Sequence, residues 1–215
     1  MLHMIKNRLD HYKNVIKYRT LKKVLIPKPA LNKKVIFIHV PKAAGTSICT
    51  SIYGIQLGHI MAKDYYLSDP KHYNNIKSFG IVREPIARFI SAYYFLENGG
   101  MNINDKSNYK KYIEKYKDIN DFVSNISEDF ISNCPVVHFK KQVDFLYYEN
   151  RCIVDFVYKL EDINNIDFIN DLNLDIKVGS KNVNSESNLN DKLNDDSIEK
   201  IKHLYREDFD SFYYK

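Results

Sequence analysis

The sequence predicts an α/β fold in which helices flank a central parallel sheet, giving three layers. Three short apolar runs rich in β-branched residues, at 35–40, 78–82 and 152–158, have the composition of buried strands. A helical spacing follows each run, and this β-α-β-α alternation is typical of a parallel sheet. With 215 residues, the chain has the length of one α/β domain with a sizeable core.

The composition favours a folded chain whose positive charge is concentrated at one end. Hydrophobic residues make up 44% and charged residues 27%, which is ordinary for a globular protein. The net charge is +5, because residues 1–34 hold ten Lys or Arg against one acid while residues 161–196 hold nine acids against three Lys. Three cysteines without regular spacing, Cys49, Cys134 and Cys152, fit reduced thiols in the cytoplasm and show no zinc pattern.

The N-terminal segment has the pattern of a basic amphipathic helix over residues 4–25, ended by Pro27 and Pro29. The favoured interpretation is a helix packed on the domain with its lysines in solvent. The alternative is peripheral docking to a membrane, an anionic partner or another subunit. We therefore expect a basic N-terminal helical extension at 1–34 and a single domain at 35–215. No stretch approaches a membrane span.

The first strand leads into a loop that is suited to bind an anion. This loop contains Pro41, Lys42, Ala43, Ala44, Gly45, Thr46 and Ser47. Backbone N–H groups at the start of the following helix, predicted to run to about residue 57, favour negative charge, and Lys42 adds a full positive charge. The loop is not a Walker A motif, because its Lys precedes the small residues. A turn is predicted at 68–70.

The second strand ends in another candidate anion site. Arg83 follows the run 78–82, Pro85 begins a helix, and Asn98-Gly99-Gly100 ends it. The face of this helix predicted to point to the core carries Ile86, Phe89, Ile90, Tyr93 and Tyr94. Ser91 lies about two turns into the helix. The paired N–H donors of an Arg guanidinium and a hydroxyl that point to the same place are suited to bind a terminal phosphate.

The rest of the chain supplies weaker signals. The polar residues 99–120 are interpreted as a mobile loop or short helix over the active site, or equally as an inert surface insertion. A short helix is predicted around 122–126 and a longer one, after the third strand, over 160–172. A Ser/Asn-rich loop at 179–194 precedes a last helix over 195–209.

Two of these segments resemble the donor site of sulfotransferases that use 3′-phosphoadenosine 5′-phosphosulfate (PAPS). The loop Pro-Lys-Ala-Ala-Gly-Thr-Ser resembles their 5′-phosphosulfate loop. Residues 83–95 fit R-D/E-P-x-x-R-x-x-S-x-Y-x-F, which resembles the 3′-phosphate site of carbohydrate sulfotransferases of sulfotransferase family 2. The similarity is to the heparan and uronyl 2-O-sulfotransferase group and its bacterial relatives. Weaker similarity, in the same order, is found at 142–146, 155–161, 184–187 and 204–209.

The resemblance, which covers about 35–214, implies a P-loop-like fold that binds PAPS and its product adenosine 3′,5′-bisphosphate, with no metal required. It implies that the 5′-phosphosulfate is held by Lys42, Ala43, Ala44, Gly45, Thr46 and Ser47. Arg83 and Ser91 would hold the 3′-phosphate. Lys42 would also be catalytic, because its charge stabilises the oxygen that bridges sulfur to the leaving group. The segment between the first helix and Gly58 is shorter than in the animal enzymes, so the resemblance does not define the acceptor-binding geometry.

The acceptor hydroxyl needs a general base, and His59 is the first candidate. The segment Gly58-His59-Ile60 resembles the one that carries the base in the 2-O group, and imidazole has a suitable reference pKa of about 6.5. Asp64 and Glu97 are second choices, since other sulfotransferases use a carboxylate. His39 lies on the first strand and is expected to pack in the core.

The implied function is a PAPS-dependent carbohydrate O-sulfotransferase of the bacterial cytoplasm that acts on a glycan or polysaccharide precursor. Tyrosines and lysines over 99–117 are candidates for lining an anionic sugar site. One alternative is a P-loop-type nucleotide-dependent kinase, although no Walker motif is present. The other is a non-catalytic basic module that binds nucleic acid through residues 1–34, although no nucleic-acid-binding signature appears. The oligomeric state is left open.

Overall fold

The computed structural model describes residue 16 and residues 24–133, 135–174 and 193–214. The predicted basic helix over 4–25 and the predicted loop over 179–194 lie almost entirely outside the described residues. None of the helices in these ranges combines the length and the apolar character needed to cross a bilayer.

A three-stranded parallel sheet forms the centre of the molecule and confirms the predicted α/β fold. Its strands are β1 (Val35–Ile38), β2 (Lys77–Val82) and β5 (Phe156–Lys159), in the spatial order β1-β2-β5. All four residues of β1 are buried, as expected for a parallel strand covered on both faces. Because the three strands are parallel, their carboxyl ends meet at one edge of the sheet, which is where open α/β sheets bind ligands.

Within residues 24–76, four helices precede β2, and three of them lie where no helix was predicted. Residues after Pro27 form α1 (Lys28–Lys33) rather than leading directly into the strand. The helix after the first loop, α2 (Gly45–Tyr53), ends earlier than predicted because Gly54 adopts a left-handed conformation. The turn predicted at 68–70 is the junction of α3 (Ala62–Ser68) and α4 (Pro70–Tyr73).

The helix after β2 was predicted closely, and the polar stretch beyond it is helical. The first of these helices is α5 (Pro85–Glu97), capped by the Glu84 carboxylate. The stretch predicted as a loop or short helix contains α6 (Ile103–Tyr112). Two further helices, α7 (Ile119–Asn125) and α8 (Glu128–Asn133), follow it.

The third strand was predicted too early in the chain. Residues Arg151–Cys152 form β4, which pairs antiparallel with β3 (Tyr147–Tyr148), and the sheet strand β5 begins only at Phe156. Asp155 explains the shift, because its carboxylate accepts hydrogen bonds from the Ser78 backbone N–H at 2.7 Å and hydroxyl at 2.8 Å. The side chain thus bonds the N-terminal end of β2 beside the backbone bond from the Asp155 N–H to the Ser78 carbonyl at 3.0 Å.

The remaining helices are more broken than predicted. A short helix, α9 (Val143–Leu146), precedes β3. The predicted helix over 160–172 is a 3-10 segment followed by α10 (Phe168–Leu172). The predicted last helix is two helices, α11 (Asp195–Leu204) and α12 (Arg206–Phe212), which meet at Tyr205.

The core has two parts. One surrounds the sheet, and the other is an aromatic cluster in which the Phe89 and Phe139 ring centroids are 5.2 Å apart. The Phe122 centroid lies 5.3 Å from that of Phe139. The helix α5, which follows β2, contributes Phe89 and Ile90 to this second cluster and is held in place there by buried contacts.

Candidate active site

A cavity of about 580 Å³ opens at the carboxyl edge of the sheet. It brings together seven of the predicted site residues, namely Lys42, Ala44, Gly45, Thr46, His59, Arg83 and Ser91. Of the others, Ala43 is fully buried and Ser47 is half-buried beside the cavity-lining loop. Asp64 on α3 and Glu97 at the end of α5 are not among the lining residues.

The first loop turns sharply through two left-handed residues. Lys42 has φ 66° and Ala44 has φ 58°, values that are uncommon for residues other than glycine. The two turns let α2 begin at Gly45, only seven positions beyond the last residue of β1 at Ile38. Such conformations cost energy and cluster at ligand sites, which fits a loop shaped to surround an anion.

Gly45 is required by a neighbouring ring. A Cβ added at this position would lie 1.9 Å from Cδ2 of His39. His39 is buried, as predicted, and its Nδ1 donates to the carbonyl of Leu57 at 3.2 Å, which fixes the ring against the loop. His39 also reaches the cavity wall.

Lys42 is a partly desolvated cation. Its Nζ lies 3.9 Å from the centroid of the Phe95 ring, a cation–π contact. Burial, together with the nearby charge of Arg83, lowers the pKa of Lys42 to about 8, while Asp105 acts in the opposite direction. The Lys42 amine is therefore protonated at neutral pH, and any anion that enters the cavity stabilises its charged form.

His59 presents a neutral ring of defined tautomer. Its Nδ1 lies 3.0 Å from the backbone carbonyl of His39. Because a carbonyl only accepts, Nδ1 carries the proton and Nε2 keeps its lone pair. Burial lowers the pKa of His59, so the ring is neutral at pH 7. This is the protonation state that a general base requires.

The family comparison is consistent with this arrangement. A model of the sulfotransferase family matches residues 30–215. The chain belongs to the sulfotransferase family. Members of this family are transferases that move a sulfuryl group to an acceptor, and they generally take PAPS as donor; the kinase and nucleic-acid-binding alternatives are not favoured. No curated protein and no solved structure gives a significant match.

Among the titratable residues that line the sulfotransferase cavity, Asp105 and His138 were not predicted from the sequence. Asp105 on α6 is 6% exposed, and its Oδ2 accepts from the backbone N–H of Met101 at 2.9 Å. Asn102 caps α6 three residues before Asp105, and this spacing was a readable helix-start signal. His138 lies in the 3-10 turn Val137–Phe139 and has no comparable local motif.

His138 completes a row of neutral histidines. Its ring centroid lies 5.6 Å from that of His59, which in turn lies 4.2 Å from that of His39. Burial lowers the pKa of His138 to about 4 and that of His39 to about 4. Within the described ranges, no cluster of three or more His, Cys, Asp or Glu side chains is arranged to hold a metal ion.

The Arg83 backbone is held by a buried side chain from a distant segment. Gln142 accepts from the Arg83 N–H at 2.9 Å and donates to the Arg83 carbonyl at 2.8 Å. Asp208 in turn accepts from the N–H groups of Gln142 at 2.9 Å and Val143 at 3.0 Å. The weak similarities at 142–146 and 204–209 therefore fall on residues that support the site.

Arg88 links Asp208, which supports the Arg83 backbone through Gln142, to the turn that contains His138. Its guanidinium donates to the carbonyls of His138 at 3.1 Å and Lys140 at 2.8 Å, and it lies 3.9 Å from Asp208. Both charged side chains are fully buried. Burial raises the pKa of Asp208 to about 6, while Arg88 and the two backbone donors oppose the shift, so the carboxylate is ionised at pH 7.

Proposed function

We propose that this sulfotransferase moves the sulfuryl group of PAPS to a hydroxyl of a carbohydrate acceptor and releases adenosine 3′,5′-bisphosphate. One observation carries the proposal: the Lys42 loop and the Arg83–Ser91 pair line one cavity from adjacent parallel strands. A donor with two separate anionic groups requires two binding positions in one cavity. Neighbouring strands lie about 4.8 Å apart, so the segments that follow β1 and β2 supply two such positions side by side.

Each part of the donor has matching residues in the proposal. Lys42, Thr46, Ser47 and the backbone N–H groups of Ala43, Ala44 and Gly45 hold the 5′-phosphosulfate. Arg83 and Ser91 hold the 3′-phosphate, since a guanidinium offers paired donors to phosphate oxygens. The absence of a side chain at Gly45 leaves room for the His39 ring, which packs against the loop that would hold the phosphosulfate.

Lys42 acts mainly on the transition state. Sulfuryl transfer passes through a loose, SO₃-like transition state, by analogy with phosphoryl transfer. Negative charge then grows on the oxygen between sulfur and the departing bisphosphate. Lys42 is held in a partly dry cavity, where its charge interacts more strongly with that oxygen than it would in water.

His59 acts as the general base in this scheme. Nε2 takes the proton of the acceptor hydroxyl while the hydroxyl oxygen forms its bond to sulfur and the opposite sulfur–oxygen bond breaks. The hydrogen bond from Nδ1 to the His39 carbonyl keeps the ring in the required tautomer and stabilises the imidazolium that forms.

The domain organisation and the location extend the proposal. Residues 35–215 form a single sulfotransferase domain in this proposal. Residues 1–34, with ten basic residues and one acid, form a basic N-terminal extension, of which Ile26 and Ala30 pack in the core around the sheet. The buried thiol of Cys49 and the exposed thiol of Cys152 are both free, which supports a cytoplasmic location.

Calorimetry of ligand binding tests the donor site. We expect adenosine 3′,5′-bisphosphate to bind more tightly than AMP, because only the bisphosphate reaches Arg83. Arg83→Ala should remove most of this difference, since a charge-assisted contact contributes about 1.5 to 3 kcal/mol. Arg151→Ala, at an exposed position on β4, is the matched control and should bind like the wild type. Equal affinity of the wild type for the two nucleotides would contradict the assignment of Arg83 and Ser91.

A further inference from the structure

The acceptor-facing part of the cavity indicates which class of sugar it binds. We infer that the acceptor is an uncharged, hydroxyl-rich saccharide rather than a uronate or another anionic sugar. The inference rests on the proposed function, because it assigns Lys42 and Arg83 to the donor. It departs from the expectation that lysines over 99–117 line an anionic site.

Among the residues that the structure describes, the charge balance of the cavity leaves no cation for an anionic acceptor. Among the described residues that line it, the charged side chains are Lys42, Arg83 and Asp105. The three histidines of the cavity are neutral at pH 7. The donor carries a phosphate of about −1.5 to −2 charge together with the charged phosphosulfate. Both cations are therefore more than neutralised once the donor is bound.

Helix α6 contributes amides and one carboxylate to the wall, but no lysine. Its lining residues are Asn104, Asp105 and Asn108, preceded by Met101 and Asn102. The spacing from 104 to 108 places these residues on one side of the helix. The lysines of the same stretch, Lys106, Lys110, Lys111, Lys115 and Lys117, are exposed and are not among the lining residues.

This wall matches the chemistry of neutral sugar hydroxyls. An amide side chain both donates and accepts, as a hydroxyl does, and the Asp105 carboxylate accepts from hydroxyl donors. Met101, which is 73% exposed at the cavity, offers an apolar surface to the C–H face of a sugar ring. A uronate carboxylate placed here would face Asp105 and the bound donor, and like charges in a partly dry site repel strongly.

Matched acceptor pairs test the inference directly. Transfer of labelled sulfate from PAPS would be measured to methyl glucoside, galactoside and mannoside and to the corresponding uronides, which differ only by oxidation at C6. We expect kcat/KM to be higher for the hexoside in each pair that reacts, by roughly tenfold or more for a carboxylate held near like charges. Preference for the uronides would overturn the inference, and so would transfer to none of the hexosides while bisphosphate binding is intact.

Two lysine variants on α6 locate the effect. Asn108→Lys places a cation in the wall and should raise the uronide-to-hexoside ratio of kcat/KM by roughly fivefold, the size of a partly exposed ion pair. Ser107→Lys adds the same charge at an exposed position that does not line the cavity, and it should leave the ratio unchanged. Equal ratios in the two variants would overturn the inference. Failure of all variants and the wild type to bind bisphosphate would instead reject the proposed function.

Discussion

At the scale of single residues, His59 differs from the other two cavity histidines in how its ring is held. Its Nδ1 bonds the carbonyl of His39, whereas the Nδ1 of His138 is buried without a hydrogen-bond partner. The ring of His39 is fixed against Gly45, where its Nε2 would lie 2.0 Å from an added Cβ. Of the three rings, only that of His59 has both an Nδ1–H oriented by a hydrogen bond and an Nε2 that is not packed against the backbone of Gly45.

His59→Ala should separate catalysis from binding. We expect bisphosphate affinity to be unchanged and sulfate transfer to fall by roughly 10²- to 10⁴-fold, the usual range for a general base. The wild-type rate should fall as pH drops through the pKa of His59, because only the neutral ring accepts a proton. Since burial lowers that pKa, the fall should lie below the ordinary value of 6.5.

Carboxylate variants are the companions of this experiment. Asp64→Asn and Glu97→Gln remove the other candidates proposed from the sequence, and Asp105→Asn removes the carboxylate that lines the cavity. Near-normal transfer by His59→Ala, combined with an inactive carboxylate variant, would move the role of base to that carboxylate. The fold and the donor site would be unaffected by this outcome.

Residues on local motifs were predictable, while residues brought in by packing were not. Lys42, Arg83 and Ser91 follow directly from strand, loop and helix signals that each span only a few positions. Asp105 and His138 reach the same cavity through segments with weak periodicity. Their positions depend on long-range packing, such as the bond from Arg88 to the His138 carbonyl, which leaves no trace in the local sequence.

At the scale of elements, the strand-loop-helix units were predicted well because hydrophobic periodicity dominates there. The errors occur where a side chain makes a long-range hydrogen bond at the boundary of an element. Asp155 delays the start of the third sheet strand to Phe156 by bonding Ser78, and the chain breaks between α11 and α12 at Tyr205. The Tyr205 hydroxyl donates to the carbonyl of Phe139 at 2.6 Å, a contact between residues 66 positions apart.

The first strand-loop-helix unit makes its own prediction at Gly45. Gly45→Ala should lower bisphosphate affinity by roughly tenfold or more, because relieving a buried clash of this kind costs about 1 to 3 kcal/mol. The clash is with the ring of His39. Calorimetry with the bisphosphate is the measurement. Gly58→Ala is the matched control, since a Cβ there would meet nothing within 4 Å.

A second substitution identifies the cause of the Gly45 effect. Removing the ring with His39→Ala should restore part of the affinity that Gly45→Ala loses, which would appear as a favourable coupling in a double-mutant cycle. Strictly additive losses would show that the clash with His39 is not responsible. In that case the backbone conformation of the loop itself would be the reason for glycine.

At the scale of the whole molecule, the active site depends on the C-terminal helices. Asp208 on α12 holds the backbone at Gln142, and Gln142 holds both backbone groups of Arg83. The fully buried Arg88 connects the same carboxylate to the turn that carries His138. Because each of these groups is buried, loss of one leaves others without partners, so the site and the fold are expected to lose order together.

The buried titratable groups also set how stability depends on pH. His39 and His138 have a pKa of about 4 in the folded protein and about 6.5 in the unfolded chain. Between these values the unfolded chain binds more protons, so acidification favours unfolding. Asp208, with its pKa raised to about 6, acts in the opposite direction, because here the folded state takes up the proton first. The two histidines with a pKa of about 4 outweigh Asp208 and give a net loss of stability. The lowered pKa of His59 adds to this loss, while the raised pKa values of Glu84 and Asp144 oppose it.

Urea unfolding at pH 7 and pH 5 measures this balance. We expect the free energy of unfolding to fall by roughly 2 kcal/mol, taking 1.36 kcal/mol for each pKa unit and group over the window crossed. His138→Phe removes one of the depressed groups while keeping an aromatic ring next to Phe95, so its stability should vary less between the two pH values. His203→Gln, whose native side chain is 70% exposed, is the control and should retain the wild-type difference. A protein equally stable at both pH values, or a His138→Phe variant with the full wild-type difference, would mean that buried neutral histidines do not control acid stability here.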